Sequence, residues 1–500
     1  MFKKILVANR GEIAVRVLRA CKEMNISSVT VYSDADRTAL HVRYADEVYY
    51  LGPPPATESY LKSGKIIEIA KQSGAEAIHP GYGFLAENTE FARACEANNV
   101  VFIGPDSKAI ELLGDKIASK ETMNKAGIPT IPGSDGAVKQ EKEALVIAEH
   151  IGFPILLKAA GGGGGKGMRV VREKKELVSL MKQAMSEAQS AFGNPIIFIE
   201  KFLESPRHIE FQILADNYGN VIHLCERECS VQRRHQKLIE ESPSAIVTPE
   251  LRTKMGEAAV KAVKASNYTN AGTVEFMVDK DRNFYFLEMN TRLQVEHPVT
   301  ELITGVDIVK EQLKIASGEK LSLEQENIKT FGSAIECRIS AEDPENNFAP
   351  STGKIVELIE PGGPGVRVES GIYEGFTVPI YYDPLIAKLL VWAPTRSEAI
   401  TRMERALREY RIRGIKTSIP FHLLVMNNPM FISGDYDTTF IDKVLGRIEY
   451  KKKNHEIAAL AAAIGKILKE EKAEVSHAKK EIGMSPWKLA GRPMRYQKGR

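Results

Sequence analysis

Residues 284–298 read Phe284-Tyr285-Phe286-Leu287-Glu288-Met289-Asn290-Thr291-Arg292-Leu293-Gln294-Val295-Glu296-His297-Pro298. The apolar lead at 284–287 predicts a buried strand. Continued as one strand, the two-residue period puts Glu288, Asn290, Arg292, Gln294 and Glu296 on a single face. Carboxylates, amides and a guanidinium in one row suit an anion held beside a metal ion. Upstream, 273–278 reads as a second strand and 279–283 as a hairpin turn. That hairpin would bring Glu275 near Glu288, a two-carboxylate Mg²⁺ site of the kind Mg-ATP uses. The plain alternative is a solvated row of cross-strand ion pairs. The Phe-Tyr-Phe-Leu lead and the closing Pro298 argue against it.

Working outward, 500 residues exceed one hydrophobic core and predict about two to four domains. The balance of 43% apolar and 27% charged residues is that of a globular protein. No apolar run approaches the roughly 18 residues of a membrane span. The start Met-Phe-Lys-Lys-Ile-Leu-Val-Ala reads as a first strand rather than a signal peptide, so a cytoplasmic enzyme is expected. Five cysteines, an odd number, argue against a disulfide framework. Cys225 and Cys229, with His223 and His235 nearby, raise a zinc question. Without a second close pair, reduced structural thiols are the expectation. Residues 451–500 carry 13 Lys and Arg against 5 Glu, so the net charge of +3 belongs to the tail. The body offers no nucleic-acid surface.

At the N-terminus, 5–8 reads as a strand, 12–23 as a helix with Ile13, Val17 and Cys21 on one face, and 28–32 as a second strand. This is a βαβ opening, but its first turn, Asn9-Arg10-Gly11-Glu12, has one glycine where a dinucleotide fingerprint needs three. That counts against an NAD oxidoreductase. Residues 128–136 look like a linker, followed by a small unit to about residue 203. Strands and helices then alternate to about 446. The segment 454–471 is a helix candidate, with an extended basic arm after it.

Lys158 precedes Gly161–Gly165, a glycine run between the apolar strands 155–159 and 168–171. Such a loop lets backbone N–H groups approach phosphates, although the P-loop pattern is absent. Glu200-Lys201-Phe202-Leu203 follows an apolar strand and can offer main-chain hydrogen bonds to an adenine edge. The stretch 230–237, with Arg233, Arg234, His235 and Lys237, reads equally as a solvated surface or an RNA contact.

Several stretches together resemble the biotin carboxylase component of biotin-dependent carboxylases, in the ATP-grasp superfamily. They are Ala8-Asn9-Arg10-Gly11-Glu12-Ile13-Ala14, HPGYGFLAEN at 79–88, the glycine loop, QRRHQKLIEE at 232–241, residues 288–301, and Glu336-Cys337-Arg338-Ile339. The resemblance spans about residues 1–446 and implies an α/β fold. Its expected parts are a Rossmann-like N-terminal domain (1–115), an ATP-grasp fold with a mobile lid (116–203, the lid about 131–203), and the rest of the ATP-grasp with an α+β C-terminal domain (204–446). A basic tail (447–500) follows, read equally as a subunit-docking extension or as a solvated extension.

By that resemblance Lys116, Lys158, Gly163, Gly164, Gly165, Gln232, His235 and His208 are expected at ATP, with Glu200, Lys201 and Leu203 at the adenine hinge. Glu275, Glu288 and Asn290 are expected to hold Mg²⁺ or Mn²⁺, with Glu275 and Glu288 also counted at the nucleotide. Arg292, Gln294 and Val295 are expected to cradle bicarbonate, Val295 through its backbone. Glu296 is expected as the base and Lys237 at the γ-phosphate. Arg338 is expected to stabilise the biotin enolate, with Tyr82 and Gly83 near the ureido ring. No Met-Lys-Met occurs, so a biotin carrier and a carboxyltransferase on separate chains are expected. Arg19, Glu23 and Arg367 match homodimer positions, while Pro364 replaces an aromatic residue found in some bacterial members. Tyr381-Tyr382-Asp383-Pro384 leans towards an acyl-CoA acceptor, with pyruvate as the alternative. Another ATP-grasp ligase would lack HPGYGFLAEN and the surroundings of Arg338, and an inert scaffold would have lost Glu296 or Lys237.

Overall fold

The fold begins with a parallel sheet of five strands in the order β3-β2-β1-β4-β5. They are β1 (Lys4–Val7), β2 (Ser27–Ser33), β3 (Glu47–Gly52), β4 (Ala77–His79) and β5 (Val101–Phe102). Ile5, Leu6 and Val7 are fully buried, as a central parallel strand covered on both faces requires. The helix Gly11–Glu23 buries the expected Ile13, Val17 and Cys21, and also Glu12, Arg16 and Leu18. It is enclosed on nearly every side because its core includes Leu214 and Leu224 from the large sheet and Leu293 from the segment after it. The protein is described by a computed structural model for residues 1–134, 136–138, 140–159, 168–192 and 195–445. The helix expected at 454–471, the basic tail, and Gly163, Gly164 and Gly165 lie outside the described residues. Met1–Lys443 form one compact unit and Val444–Arg500 a second, of which only Val444 and Leu445 are described.

A small antiparallel sheet, ordered β7-β6-β8, contains β6 (Ile155–Ala159), β7 (Met168–Val171) and β8 (Ile197–Lys201). Helices Glu141–Ile151 and Leu177–Phe192 supply Ala144, Leu177 and Met181 to its core, against Ile155, Leu157 and Ile199. The stretch expected as a linker is tied down at several points, among them two contacts with strands of the sheets. Phe286 N donates to Pro129 O at 2.7 Å, and Lys201 N to Pro132 O at 2.7 Å.

The large antiparallel sheet has eight strands. Its order is β13-β12-β9-β10-β11-β14, followed by strands Leu385–Ala393 and Val366–Ser370. Here β9 is Arg207–Ala215, β10 Val221–Arg233, β11 Gln236–Ser242, β12 Asn270–Val278, β13 Phe284–Asn290 and β14 Ser333–Ser340. The predicted hairpin forms. Asp279 Oδ1 accepts from the amides of Asp281 and Asn283 at 2.9 Å, an Asx-type turn, and Glu275 faces Glu288 in the β12–β13 register.

The single strand expected over 288–296 does not form. β13 ends at Asn290, residues 291–296 turn, and the helix His297–Thr304 starts with Glu296 at its N-cap and Pro298 in its first turn. Proline is pre-organised for that first turn and lacks the N–H a continuing ladder needs. Leu293 is fully buried in the core under helix Gly11–Glu23, which draws the chain inward there. The polar side chains converge because the backbone turns, not because of a pleat.

Helix Gly11–Glu23 also meets the far edge of the large sheet. A Cβ on Gly371 would lie 2.8 Å from Glu12 N and 3.0 Å from Gly11 Cα, both main-chain atoms that cannot rotate away. Gly371→Ala is therefore expected to destabilise the protein by about 1–3 kcal/mol through overpacking. Denaturant unfolding of wild type and variant measures it, and equal midpoints would show that the contact yields freely.

Candidate active site

Two strands of the large sheet, β9 and β12, and the 291–296 turn converge on one largely buried ammonium. Lys237, on β11, donates to Glu210 Oε2 at 2.5 Å, Glu275 Oε1 at 2.8 Å and Glu296 Oε1 at 2.8 Å. Burial opposes its charge, but the three carboxylates outweigh that and hold its pKa well above the usual lysine range. Glu210 is braced from behind by the fully buried Arg227, whose Nε reaches it at 2.5 Å. Arg227 also bonds Gln212 at 2.7 Å and Thr300 and Thr273 at 3.0 Å, so each of its three nitrogens has a partner.

Glu296 has no exposed surface. Besides Lys237, it accepts from Arg338 Nη2 at 2.9 Å, and Arg338 Nε donates to Glu240 Oε1 at 2.6 Å. Burial pushes the Glu296 pKa up, but Lys237, Arg338 and Arg227 together hold it well below the carboxylate range. Glu240 goes the other way. Burial raises it to about 7, and the Glu296 charge adds to the rise against the opposing pull of Arg338.

Glu275 accepts from Asn290 Nδ2 at 2.8 Å and Gln294 Nε2 at 3.1 Å, and pairs with His208 Nε2 at 2.8 Å. Glu288 opens to the cleft opposite it. Partial burial raises its pKa, with the Glu275 charge adding and the nearby Lys116 opposing. The hard oxygen donors of Glu275, Glu288 and Asn290 fit Mg²⁺ or Mn²⁺. Arg292 bonds Glu87 Oε2 at 2.9 Å, Gln294 Oε1 at 2.7 Å and Asn290 Oδ1 at 3.0 Å, which braces the turn. Two groups of ligand-type atoms lie close together among the described residues, His208 with Glu210 and Glu275, and Glu210 with Cys229 and Glu296. His223, Cys225 and His235 join neither group, so no zinc cluster gathers there, and all five cysteines are buried and free.

On the small sheet, Lys158 Nζ donates to Glu200, and Lys120 lies 3.4 Å from the same carboxylate. Lys201 turns its ammonium to the carbonyls of Gly152 and Phe153, at 2.9 and 3.2 Å, and Leu203 follows half-buried. Gln232 pairs with Lys237 across the β10–β11 hairpin, whereas His235 stands exposed at its turn with φ of +63°. Tyr82 donates its hydroxyl to Glu12, and Asn9 Nδ2 fixes that loop through Pro80 O at 2.6 Å and Tyr82 O at 2.8 Å. Gly81 has φ of +64°, and a Cβ there would meet Asn9 Nδ2 at 2.8 Å. The neighbouring Gly83, at +68°, is free of such contacts. Val295 O accepts from Lys388 at 2.9 Å. Sequence reading missed Glu210, Arg227, Glu240, Glu87 and Lys388. A signal existed for the first, since His208, Glu210 and Gln212 repeat at two residues.

A parallel N-terminal sheet, a small three-stranded sheet bearing lysines, and a large sheet with facing carboxylates define an ATP-grasp ligase. The family of biotin carboxylase N-terminal domains matches residues 1–110, and that of biotin carboxylase C-terminal domains matches 336–443. Between them, the ATP-binding domain of the carbamoyl-phosphate synthase L chain matches 115–324. A pyruvate carboxylase subunit of Methanothermobacter thermautotrophicus is 56% identical over 475 residues, 95% of this chain and 94% of that protein. The biotin carboxylase of Nostoc sp. is 56% identical over 443 residues, 89% of this chain and 99% of that one. Among solved structures, the biotin carboxylase domain dimer of Hydrogenobacter thermophilus 2-oxoglutarate carboxylase, in complex with MgADP, ADP and bicarbonate, is 54% identical. It superposes with a TM-score of 0.83 over 89% of this chain and 98% of that one. The chain belongs to the biotin carboxylase family.

The depressed pKa of Glu296 has a stability consequence. A carboxyl whose folded pKa lies below its ordinary value of about 4.5 stabilises the fold above that pH and loses the contribution as pH falls through the folded value. Wild type is expected to exceed Glu296→Gln by about 3 kcal/mol at pH 7, the scale for breaking a buried ion pair. The gap should shrink on acidification below about pH 4.5. Paired unfolding curves at pH 7 and pH 4 measure it, and a gap that widens at low pH would contradict the assigned charge state.

Proposed function

We propose that this chain carboxylates biotin at the expense of ATP and bicarbonate, through carboxyphosphate. The observation that carries this reading is Glu296, a carboxylate held between the ammonium of Lys237 and the guanidinium of Arg338. In this state the two cations suppress its basicity. When the γ-phosphate engages Lys237 and bicarbonate engages Arg292, Gln294 and the Val295 backbone, that suppression is relieved. Glu296 then takes the bicarbonate proton as the freed oxygen attacks the γ-phosphorus and ADP leaves. Glu275, Glu288 and Asn290 would hold Mg²⁺ or Mn²⁺, which when bound neutralises charge on the transferring phosphoryl group. Lys116, Lys158 and His208 contact the nucleotide, and Glu200, Lys201 and Leu203 flank its base.

Carboxyphosphate then breaks its C–O bond to give CO₂ and phosphate, and the phosphate takes the N1′ proton of biotin. The ureido enolate attacks CO₂ while Arg338 faces its oxygen, with Tyr82 and Gly83 beside the ring. Carboxyphosphate hydrolyses readily, so the small sheet with residues 131–203 closes as a lid to exclude water. The test is ATP hydrolysis dependent on bicarbonate and stimulated by free biotin. Glu296→Ala should retain ATP binding and lose about 10²–10⁴-fold in turnover. An unstimulated wild type would refute the function, and a fully active variant would remove Glu296 from the chemistry.

Biotin reaches the site on a carrier from another chain, and the enzyme works as a homodimer through the face with Arg19, Glu23 and Arg367. For the final acceptor, the acyl-CoA expectation rests on Tyr381-Tyr382-Asp383-Pro384. In this fold Tyr382 bonds Ser33 at 2.5 Å and Pro54 O at 2.6 Å, with Arg10 at 4.2 Å over its ring. These contacts knit the chain together at this position. The 475-residue alignment with the Methanothermobacter pyruvate carboxylase component necessarily runs beyond residue 446, unlike one of 443 residues. This favours a 2-oxoacid acceptor. Labelled bicarbonate supplied with pyruvate or 2-oxoglutarate to the complex purified from its native cells should give the C3-carboxylated 2-oxoacid, whose label becomes acid-stable once its keto group is reduced with borohydride. Label on acetyl- or propionyl-CoA would restore the acyl-CoA reading.

A further inference from the structure

Lys388 lies outside every residue set assigned above. It sits on strand Leu385–Ala393 without exposed surface, between Arg338 on β14 and Glu369 on strand Val366–Ser370 in the sheet register. An apolar side chain would fill the position without the cost of dehydrating an ammonium, so packing alone does not account for a lysine. Its Nζ donates to Val295 O at 2.9 Å and stands 3.2 Å from Glu12 Oε2. These partners belong to two different parts of the site. Val295 lies in the turn that carries Arg292, Gln294 and Glu296. Glu12 lies on helix Gly11–Glu23, and its other oxygen accepts the Tyr82 hydroxyl.

We propose that Lys388 is a positioning residue that fixes the spacing between the anion-holding turn and Tyr82. Pinning the Val295 carbonyl fixes the planar peptide that leads into Glu296, and therefore the direction from which that side chain departs. Pairing with Glu12 fixes the carboxylate that holds the Tyr82 ring. One ammonium thus sets where carboxyphosphate forms relative to where biotin waits, so that the CO₂ released meets the enolate before it escapes. The inference rests on the assignment of the 291–296 turn to bicarbonate and of Tyr82 to the biotin ring.

The test measures two products from the full chain with free biotin and labelled bicarbonate, ADP released and carboxybiotin formed. Wild type comes first, and failure to form carboxybiotin would overturn the functional assignment itself. In Lys388→Met, ATP cleaved per carboxybiotin should rise about tenfold, the scale of one lost hydrogen bond to a charged group, with KM for ATP unchanged. A purely structural defect lowers both products by the same factor, and an unchanged ratio overturns the proposal. If Lys388→Met does not fold, Glu12→Gln decides. It keeps the volume and an acceptor for Tyr82 but removes the charge facing Lys388. Its ratio should rise in the same direction by a smaller factor, and a wild-type ratio there overturns the proposal equally.

Discussion

A single ammonium surrounded by three carboxylates is the constraint on which the rest of this molecule depends. Lys237 cannot be buried without Glu210, Glu275 and Glu296, and none of those could be buried together without a cation among them. The demand spreads outward. Glu210 needs Arg227, Glu296 needs Arg338, and Arg338 needs Glu240. The polar face of the large sheet is therefore a connected network rather than scattered pairs. Each strand from β9 to β14 contributes to it or supports it, which fixes their relative register as firmly as the apolar core does.

The network is poised rather than inert. Glu296 is shared between Lys237 and Arg338, the two cations best placed to meet anionic substrates, so binding and base strength are linked. Under the proposed function, arriving phosphate and bicarbonate would compete with Glu296 for the charges that quiet it. The 291–296 turn is the mechanical counterpart. It is anchored below by Leu293 in the core, at one side by Arg292 on Glu87, and at its end by Lys388 on the Val295 carbonyl. Groups that must meet small, fast-reacting species are held by buried supports rather than left on a free loop.

Much of this was legible in the chain, and the failures have physical causes. The β12–β13 hairpin could be read because Asp279 and Asn283 have the chemistry of a tight turn, and Glu275 then had to face Glu288. The strand predicted through Glu296 failed because the two-residue alternation of polar groups reflects what the site requires of each side chain. The pleat ends at Asn290, and Leu293 and Pro298 bend the backbone. Glu210 escaped notice because His208-Glu210-Gln212 looks like the solvent half of an amphipathic strand, whereas that face is the buried floor of the site. Lys388 left a clearer trace as a lone charge within the apolar run Leu385–Ala393, and Arg227 stood between two glutamates in mid-strand. His235, grouped with its neighbours by sequence, belongs to an exposed turn that only the fold could separate from Lys237.

The central claim is that this constellation turns bicarbonate into a nucleophile towards the γ-phosphorus of ATP. Oxygen tracing addresses it directly. With bicarbonate fully labelled in ¹⁸O and unlabelled ATP and water, the account predicts that each phosphate released during carboxylation carries one bicarbonate oxygen. Phosphate free of the label would mean that bicarbonate never bonds to phosphorus, and would contradict the roles given to Lys237 and Glu296.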